Sequence, residues 1–160
     1  MFINEVIDYA KESFLRFGES PLEFIVYGTK DRVVAPVSKG LPFTSAQRLE
    51  AVANIGVEVA LRKNVGELIE IFSVGSAWMT RSKAGDIPRV RPSLDPSRKE
   101  ILIISSLNAK SNEQRMWQFK ITRDKGGKLT LLEPIADSQG AKVFGPLLPE
   151  FVKGYNIISH

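Results

Sequence analysis

The residues best suited to chemistry lie in one basic stretch, RSKAGDIPRVRPSLDPSRK, at positions 81–99. This stretch has six basic and two acidic residues, so its surplus equals the net charge of +4 of the whole chain. Guanidinium groups bind phosphates and carboxylates through paired N–H donors. The segment therefore predicts a surface for an acidic partner. The candidate binding residues are Arg81, Lys83, Arg89, Arg91, Arg98 and Lys99.

Two interpretations of the basic segment 81–99 stay open at this point. Its three prolines exclude a regular helix or strand through much of its length. A segment of this length is longer than an ordinary hairpin loop, and long loops often carry function. The competing interpretation is a solvated structural loop that Ile87, Val90 and Leu94 pin to the body of the protein.

The chain lacks the residues of several common mechanisms. It has no cysteine, and a histidine-based triad or zinc site would depend on one residue, His160. It also lacks the glycine-rich phosphate-loop, dinucleotide-binding and hydrolase-elbow motifs. Glu67 and Glu70 are three residues apart on a predicted strand, so they point to opposite faces and we expect both at exposed positions. We therefore predict no catalytic residue, no cofactor and no metal site, with an oxygen-only site built from Asp and Glu left open. A binding protein is favoured over an enzyme.

Aromatic residues on predicted strands offer a second, weaker candidate site. Trp78, Trp117 and Phe119 would form a stacking platform for single-stranded bases or sugars if they faced solvent. However, Trp117, Phe119 and Ile121 alternate as a buried strand face does. The pattern therefore favours a core role for these rings.

The elements that must position these residues follow from hydrophobic periodicity. Apolar residues at three-and-four spacing predict a central helix at 44–63 and an N-terminal helix at 2–17. Thr44 and Gln47 fit a capping box at the start of the central helix. Gly126 and Gly127 favour a hairpin turn. The predicted strands lie at 22–27, 33–37, 67–80, 101–107, 115–122 and 129–133.

These elements predict an α+β fold with a mainly antiparallel sheet, in one domain spanning residues 1–160. The C-terminal half would contribute a four-strand meander and the N-terminal half an early strand pair, packed against the helices near 44–63 and 2–17. Past Pro134 the pattern indicates one helical turn near 150–153. It also indicates an apolar patch at Tyr155, Ile157 and Ile158.

Three functions remain open. The first is a non-catalytic binding or accessory protein that engages nucleic acid or an acidic protein through the basic segment. The second is an enzyme or small-anion-binding protein with an arginine and carboxylate pocket between the sheet and that segment. The third is a structural protein, including a homodimer, that acts through the apolar C-terminal patch.

We expect no membrane association, because no apolar run reaches the ~20 residues that a membrane span needs. The absence of cysteine and of a basic N-terminal leader favours the cytoplasm.

Overall fold

The computed structural model describes residues 2–18, 22–37, 41–42, 44–79 and 99–158. These residues form three α-helices and a seven-stranded antiparallel sheet. The helices are α1 (Ile3–Phe17), α2 (Ser45–Arg62) and α3 (Leu147–Ile158). The strands are β1 (Glu23–Gly28), β2 (Arg32–Pro36), β3 (Leu68–Met79), β4 (Lys99–Asn108), β5 (Gln114–Arg123), β6 (Leu129–Pro134) and β7 (Ala141–Lys142). The α+β prediction is confirmed.

The strands follow the order β2-β1-β3-β4-β5-β6, and β7 pairs with one end of β5. The four-strand meander is therefore β3 to β6, and the early pair β1–β2 joins it through β1 and β3. Pro36 lies on the edge strand β2, where its missing N–H costs no ladder bond. Gly127 has a φ of +81° in the β5–β6 turn, which confirms that this glycine serves the turn.

Helix α1 covers one face of the sheet. Val6, Ala10 and Phe14 recur on its inner side and are buried against residues such as Phe72 and Phe119. The core role predicted for Phe119 is thus confirmed, and Trp117 is half-buried against the same cluster. The side chain of Trp78 lies outside the described residues.

Helices α2 and α3 cover the other face. Thr44 caps α2 by accepting a hydrogen bond from the Gln47 backbone N–H at 3.3 Å, which is one half of the predicted capping box. Val52 and Val59 of α2 are buried in the same cluster as Phe151 of α3 and Ile71 of β3. This face is therefore closed by a pair of helices that pack against each other as well as against the sheet.

Glycines allow α2 and α3 to approach at backbone distance. A Cβ added at Gly56 would overlap the carbonyl oxygen of Phe151, and one added at Gly154 would overlap that of Ala53. At both positions the backbones of the two helices are in contact, so only glycine, which has no side chain, fits there.

The prediction of one helical turn near 150–153 was wrong, because α3 runs for 12 residues. Pro149 falls in the first turn of α3, where backbone N–H groups have no partner within the helix and a proline is tolerated. The apolar patch also differs from the prediction. Tyr155 is buried, whereas Ile157 and Ile158 are exposed.

Among the described residues, no helix combines the length and the apolar character needed to cross a membrane.

Candidate functional site

The basic segment follows strand β3, and its last residue, Lys99, begins strand β4. Met79 and Lys99 form the last described pair of the β3–β4 ladder, so the two ends of the intervening stretch lie side by side. Lys99 is exposed at the start of β4. The other five predicted binding residues lie outside the described residues; they are Arg81, Lys83, Arg89, Arg91 and Arg98.

The hairpin that carries the segment lies in the middle of the sheet. It has ten paired positions, from Glu70 with Asn108 to Met79 with Lys99. Strand β1 pairs with the outer side of β3 and strand β5 with the outer side of β4. The flanking strands cover β3 as far as Val74 and β4 from Ile101, and the ladder between β3 and β4 continues past them to Met79 and Lys99.

A further exposed lysine lies close to this attachment point. Lys120 of β5 lies opposite Ile101 of β4, which puts its side chain on the same face as Lys99, two residues away along β4. Glu133 of β6 pairs with Lys120 from the other side and offsets one of these charges. The alternation of β5 already placed Lys120 on its outer face, but only the β4–β5 register shows that Lys99 is its neighbour.

A partly buried ion pair lies on the other face of the hairpin and joins β4 to β5. Arg123 donates from Nε and Nη2 to the two carboxylate oxygens of Glu100, at 2.7 and 2.8 Å. Its Nη1 donates to the Gly127 carbonyl at 2.8 Å, and its guanidinium lies 5.4 Å from the centre of the Phe14 ring. The Arg123 fork is therefore occupied by the protein itself and ties the β5–β6 turn to β4 and α1.

A cleft of about 740 Å³ opens at the opposite end of the β3–β4 hairpin. It is bounded by the start of β3, the β4–β5 turn and the last turns of α3. The lining residues are Thr29, Gly66, Glu67, Leu68, Ile69, Asn108, Ala109, Lys110, Val152, Tyr155 and Asn156.

Several polar groups of this cleft already hold the fold together. The Tyr155 hydroxyl donates to the Gly66 carbonyl at 2.6 Å, which joins α3 to the loop before β3. The Thr29 hydroxyl accepts from the Glu67 N–H at 3.0 Å. The Asn108 carbonyl Oδ1 accepts from the N–H groups of Lys110 and Ser111, both at 3.0 Å. Burial raises the pKa of Tyr155, so this hydroxyl stays protonated as a donor at neutral pH.

The charged groups near the cleft do not converge on a reacting position. Glu67 and Lys110 are exposed on its rim. Glu70 was predicted to be exposed, but it is half-buried beside Tyr27 on the α1 face, and burial raises the pKa of its carboxyl. Across the described ranges, no three His, Cys, Asp or Glu side chains come together as metal ligands. This end of the molecule thus presents a shaped surface whose polar groups serve structure.

Comparison with known proteins adds no family. No protein-family model matches the chain, no curated protein matches it and no solved structure matches it.

Proposed function

We propose that this chain is a non-catalytic binding protein that engages an acidic partner through the basic segment 81–99. One observation carries the proposal. The segment holds a surplus equal to the entire net charge of the chain, and the pairing of Met79 with Lys99 anchors its two ends on the central hairpin. A charged segment that joins two paired strands suits recognition, because the strands bring its two ends together before the partner binds.

The charge distribution favours an acidic protein surface over nucleic acid. Outside residues 81–99 the basic and acidic residues of the chain balance. A nucleic acid offers charge along its whole backbone, and proteins that follow it usually supply a longer basic track. A compact acidic patch on a protein matches a single basic loop better. The cytoplasm remains the expected compartment, as the cysteine-free composition suggested.

The alternative function, a small-anion pocket between sheet and segment, gains less support. The cleft of about 740 Å³ lies at the far end of the β3–β4 hairpin from Lys99. Arg123, an arginine close to the base of the segment, is already occupied by Glu100. A small anion would therefore have to be held by the basic segment itself.

Fluorescence anisotropy tests the proposal. Labelled polyglutamate, single- and double-stranded DNA and RNA are each titrated with the protein over a range of salt concentrations. We expect salt-sensitive binding of polyglutamate that weakens at least about tenfold in an Arg89→Ala/Arg91→Ala/Arg98→Ala variant, since each charge-assisted hydrogen bond contributes more than a neutral one.

A second triple variant controls for the loss of three positive charges as such. Arg62→Ala/Lys63→Ala/Lys110→Ala removes three exposed basic residues near the other end of the hairpin. This variant has the same net charge as the segment variant and should bind as the wild type does. Equal loss in both variants, or no binding of any probe at low salt, would refute the proposal. Tighter binding of DNA or RNA than of polyglutamate would assign the segment to nucleic acid instead.

A further inference from the structure

The outer edge of β6 ends the sheet and is not paired with any described strand. β6 pairs with β5 on its inner side. Ile135 donates to the Gln118 carbonyl at 3.0 Å, and in this register Leu131 and Glu133 direct their N–H groups toward β5. The intervening residue, Leu132, therefore directs its N–H and C=O away from the sheet. These are the groups that another strand would bind.

An apolar groove accompanies this edge. A cavity of about 270 Å³ lies between α1 and β6, and Leu15 and Leu131 on its rim are 63% and 52% exposed. Edge strands that avoid association usually carry charges or prolines. Over the run LTLL at 129–132 the edge carries neither, and Glu133 and Pro134 follow at the end of β6.

Opposite charges flank the run 129–132, so two copies that pair antiparallel would bring a positive charge of one near a negative charge of the other. Lys128 precedes the run and Glu133 follows it, and both are exposed. Glu133 faces Lys120 of its own sheet without forming an ion pair with it. When a strand pairs antiparallel with its own copy, the start of each strand meets the end of the other. Lys128 of one copy then lies near Glu133 of the second copy, and the reverse contact forms by symmetry.

We propose that β6 pairs antiparallel with β6 of a second copy and forms a two-fold dimer with one continuous sheet. The two-fold axis passes near Leu131, so the two Leu131 side chains cover each other. Leu15 extends the contact onto α1. Because a two-fold interface uses the same β6 edge of both copies, the assembly closes at two.

Sedimentation velocity across a wide range of protein concentration tests this interface. We expect a reversible dimer whose dissociation constant rises at least about tenfold in Leu131→Lys, because two like charges would face each other across the axis. The matched control is Leu61→Lys. Leu61 is 64% exposed on α2 and remote from β6, so the same change there should leave the dimer intact.

Single cysteines test the geometry directly, since the chain has none of its own. Under mild oxidation, Leu131→Cys should form a disulfide-linked dimer and Leu61→Cys should not. The Leu131→Cys variant also tests the interface if Leu131→Lys fails to fold. Lys128→Glu should weaken the dimer, and adding Glu133→Lys should restore it.

Two results would overturn the proposal. One is a monomer at every concentration together with no cross-linking of Leu131→Cys. The other is a dimer that resists Leu131→Lys but dissociates in Ile157→Lys, which would move the interface to the exposed C-terminal residues of α3.

Discussion

The two ends of the β3–β4 hairpin differ in how their polar groups are used. At the cleft end, the Tyr155 hydroxyl, the Thr29 hydroxyl and the Asn108 amide all bond to backbone groups. At the other end, Lys99 and Lys120 are exposed and form no ion pair with a described residue. The hydrogen-bonded groups of the cleft therefore serve the fold, as does the Arg123–Glu100 ion pair at the other end, whereas Lys99 and Lys120 are left exposed. Substitutions of the hydrogen-bonded cleft residues should change stability, and substitutions of the two lysines should change binding.

The largest effect is expected where α3 contacts α2, next to the cleft. Gly154→Ala would push a methyl group into the Ala53 carbonyl. Alanine favours a helix by up to ~1 kcal/mol over glycine, but such an overlap costs more, so we expect a net loss of roughly 2–3 kcal/mol in the free energy of unfolding. Chemical denaturation measures it. The control is Gly126→Ala, where the nearest atom lies 3.4 Å from the new Cβ and the change should be within ~0.5 kcal/mol. Equal losses would show that α2 and α3 are not packed at backbone distance.

A smaller loss is expected when the cleft loses one hydrogen bond. Tyr155→Phe removes the donor to the half-buried Gly66 carbonyl, which should cost about 1 kcal/mol. Tyr27→Phe is the comparison, since its hydroxyl donates to Glu5 over a longer distance of 3.4 Å. Denaturant titration should therefore show a larger shift for Tyr155→Phe. Neither variant should alter binding of an acidic probe.

Tyr155 also allows a test of protein stability at alkaline pH. Burial raises the pKa of Tyr155 in the folded protein, so the folded state holds this proton more tightly than the unfolded chain. The resulting stability is present below the pKa of an exposed tyrosine and is lost as pH rises through the folded pKa. The wild type should lose stability more steeply than Tyr155→Phe above about pH 10. Parallel pH curves for the two proteins would contradict this reasoning.

At the binding end, a modest effect is expected from Lys120→Ala. This lysine lies beside Lys99 but faces Glu133, so we expect binding of an acidic probe to weaken roughly twofold with stability unchanged. Lys125→Ala, an exposed lysine in the β5–β6 turn, is the control and should bind normally. Anisotropy with labelled polyglutamate measures both. A loss of stability in Lys120→Ala would mean that this charge serves the fold after all.

The smallest effect concerns Glu70, near the cleft end of β3. Burial raises the pKa of its carboxyl, so the folded state prefers the protonated form. Stability therefore falls as pH rises through the titration of this group. Glu70→Gln should be slightly more stable than the wild type near neutral pH and equal to it in acid. Thermal unfolding at several pH values checks this, and a destabilised Glu70→Gln at neutral pH would contradict it.

Hydrophobic periodicity was sufficient to predict most of the fold. The helix predicted at 44–63 matches α2 with its Thr44 cap, and the strand predicted at 115–122 matches β5. Both segments are long and strongly periodic, so local pattern and tertiary burial agree. The helix α3 was missed because Pro146 and Pro149 were read as residues that interrupt a helix. Pro149 in fact lies in the first turn of α3, where a helix tolerates proline.

The site was predicted less completely, for a physical reason. Charge density alone marks residues 81–99, but the cleft gathers residues from four distant parts of the chain, such as Thr29, Asn108 and Tyr155. Their proximity follows from strand register and helix packing, which one sequence does not reveal. The same holds for Gly56 and Gly154, whose contact depends on how two helices cross.

The most direct test of the account compares two triple variants in one binding assay. The first is Arg89→Ala/Arg91→Ala/Arg98→Ala in the basic segment, and the second is Arg62→Ala/Lys63→Ala/Lys110→Ala near the cleft. Labelled polyglutamate at low and at moderate salt is the probe. We predict that only the first variant loses binding and salt sensitivity while both unfold at the wild-type denaturant midpoint. Loss of binding in the second variant alone would contradict the assignment of binding to the basic segment.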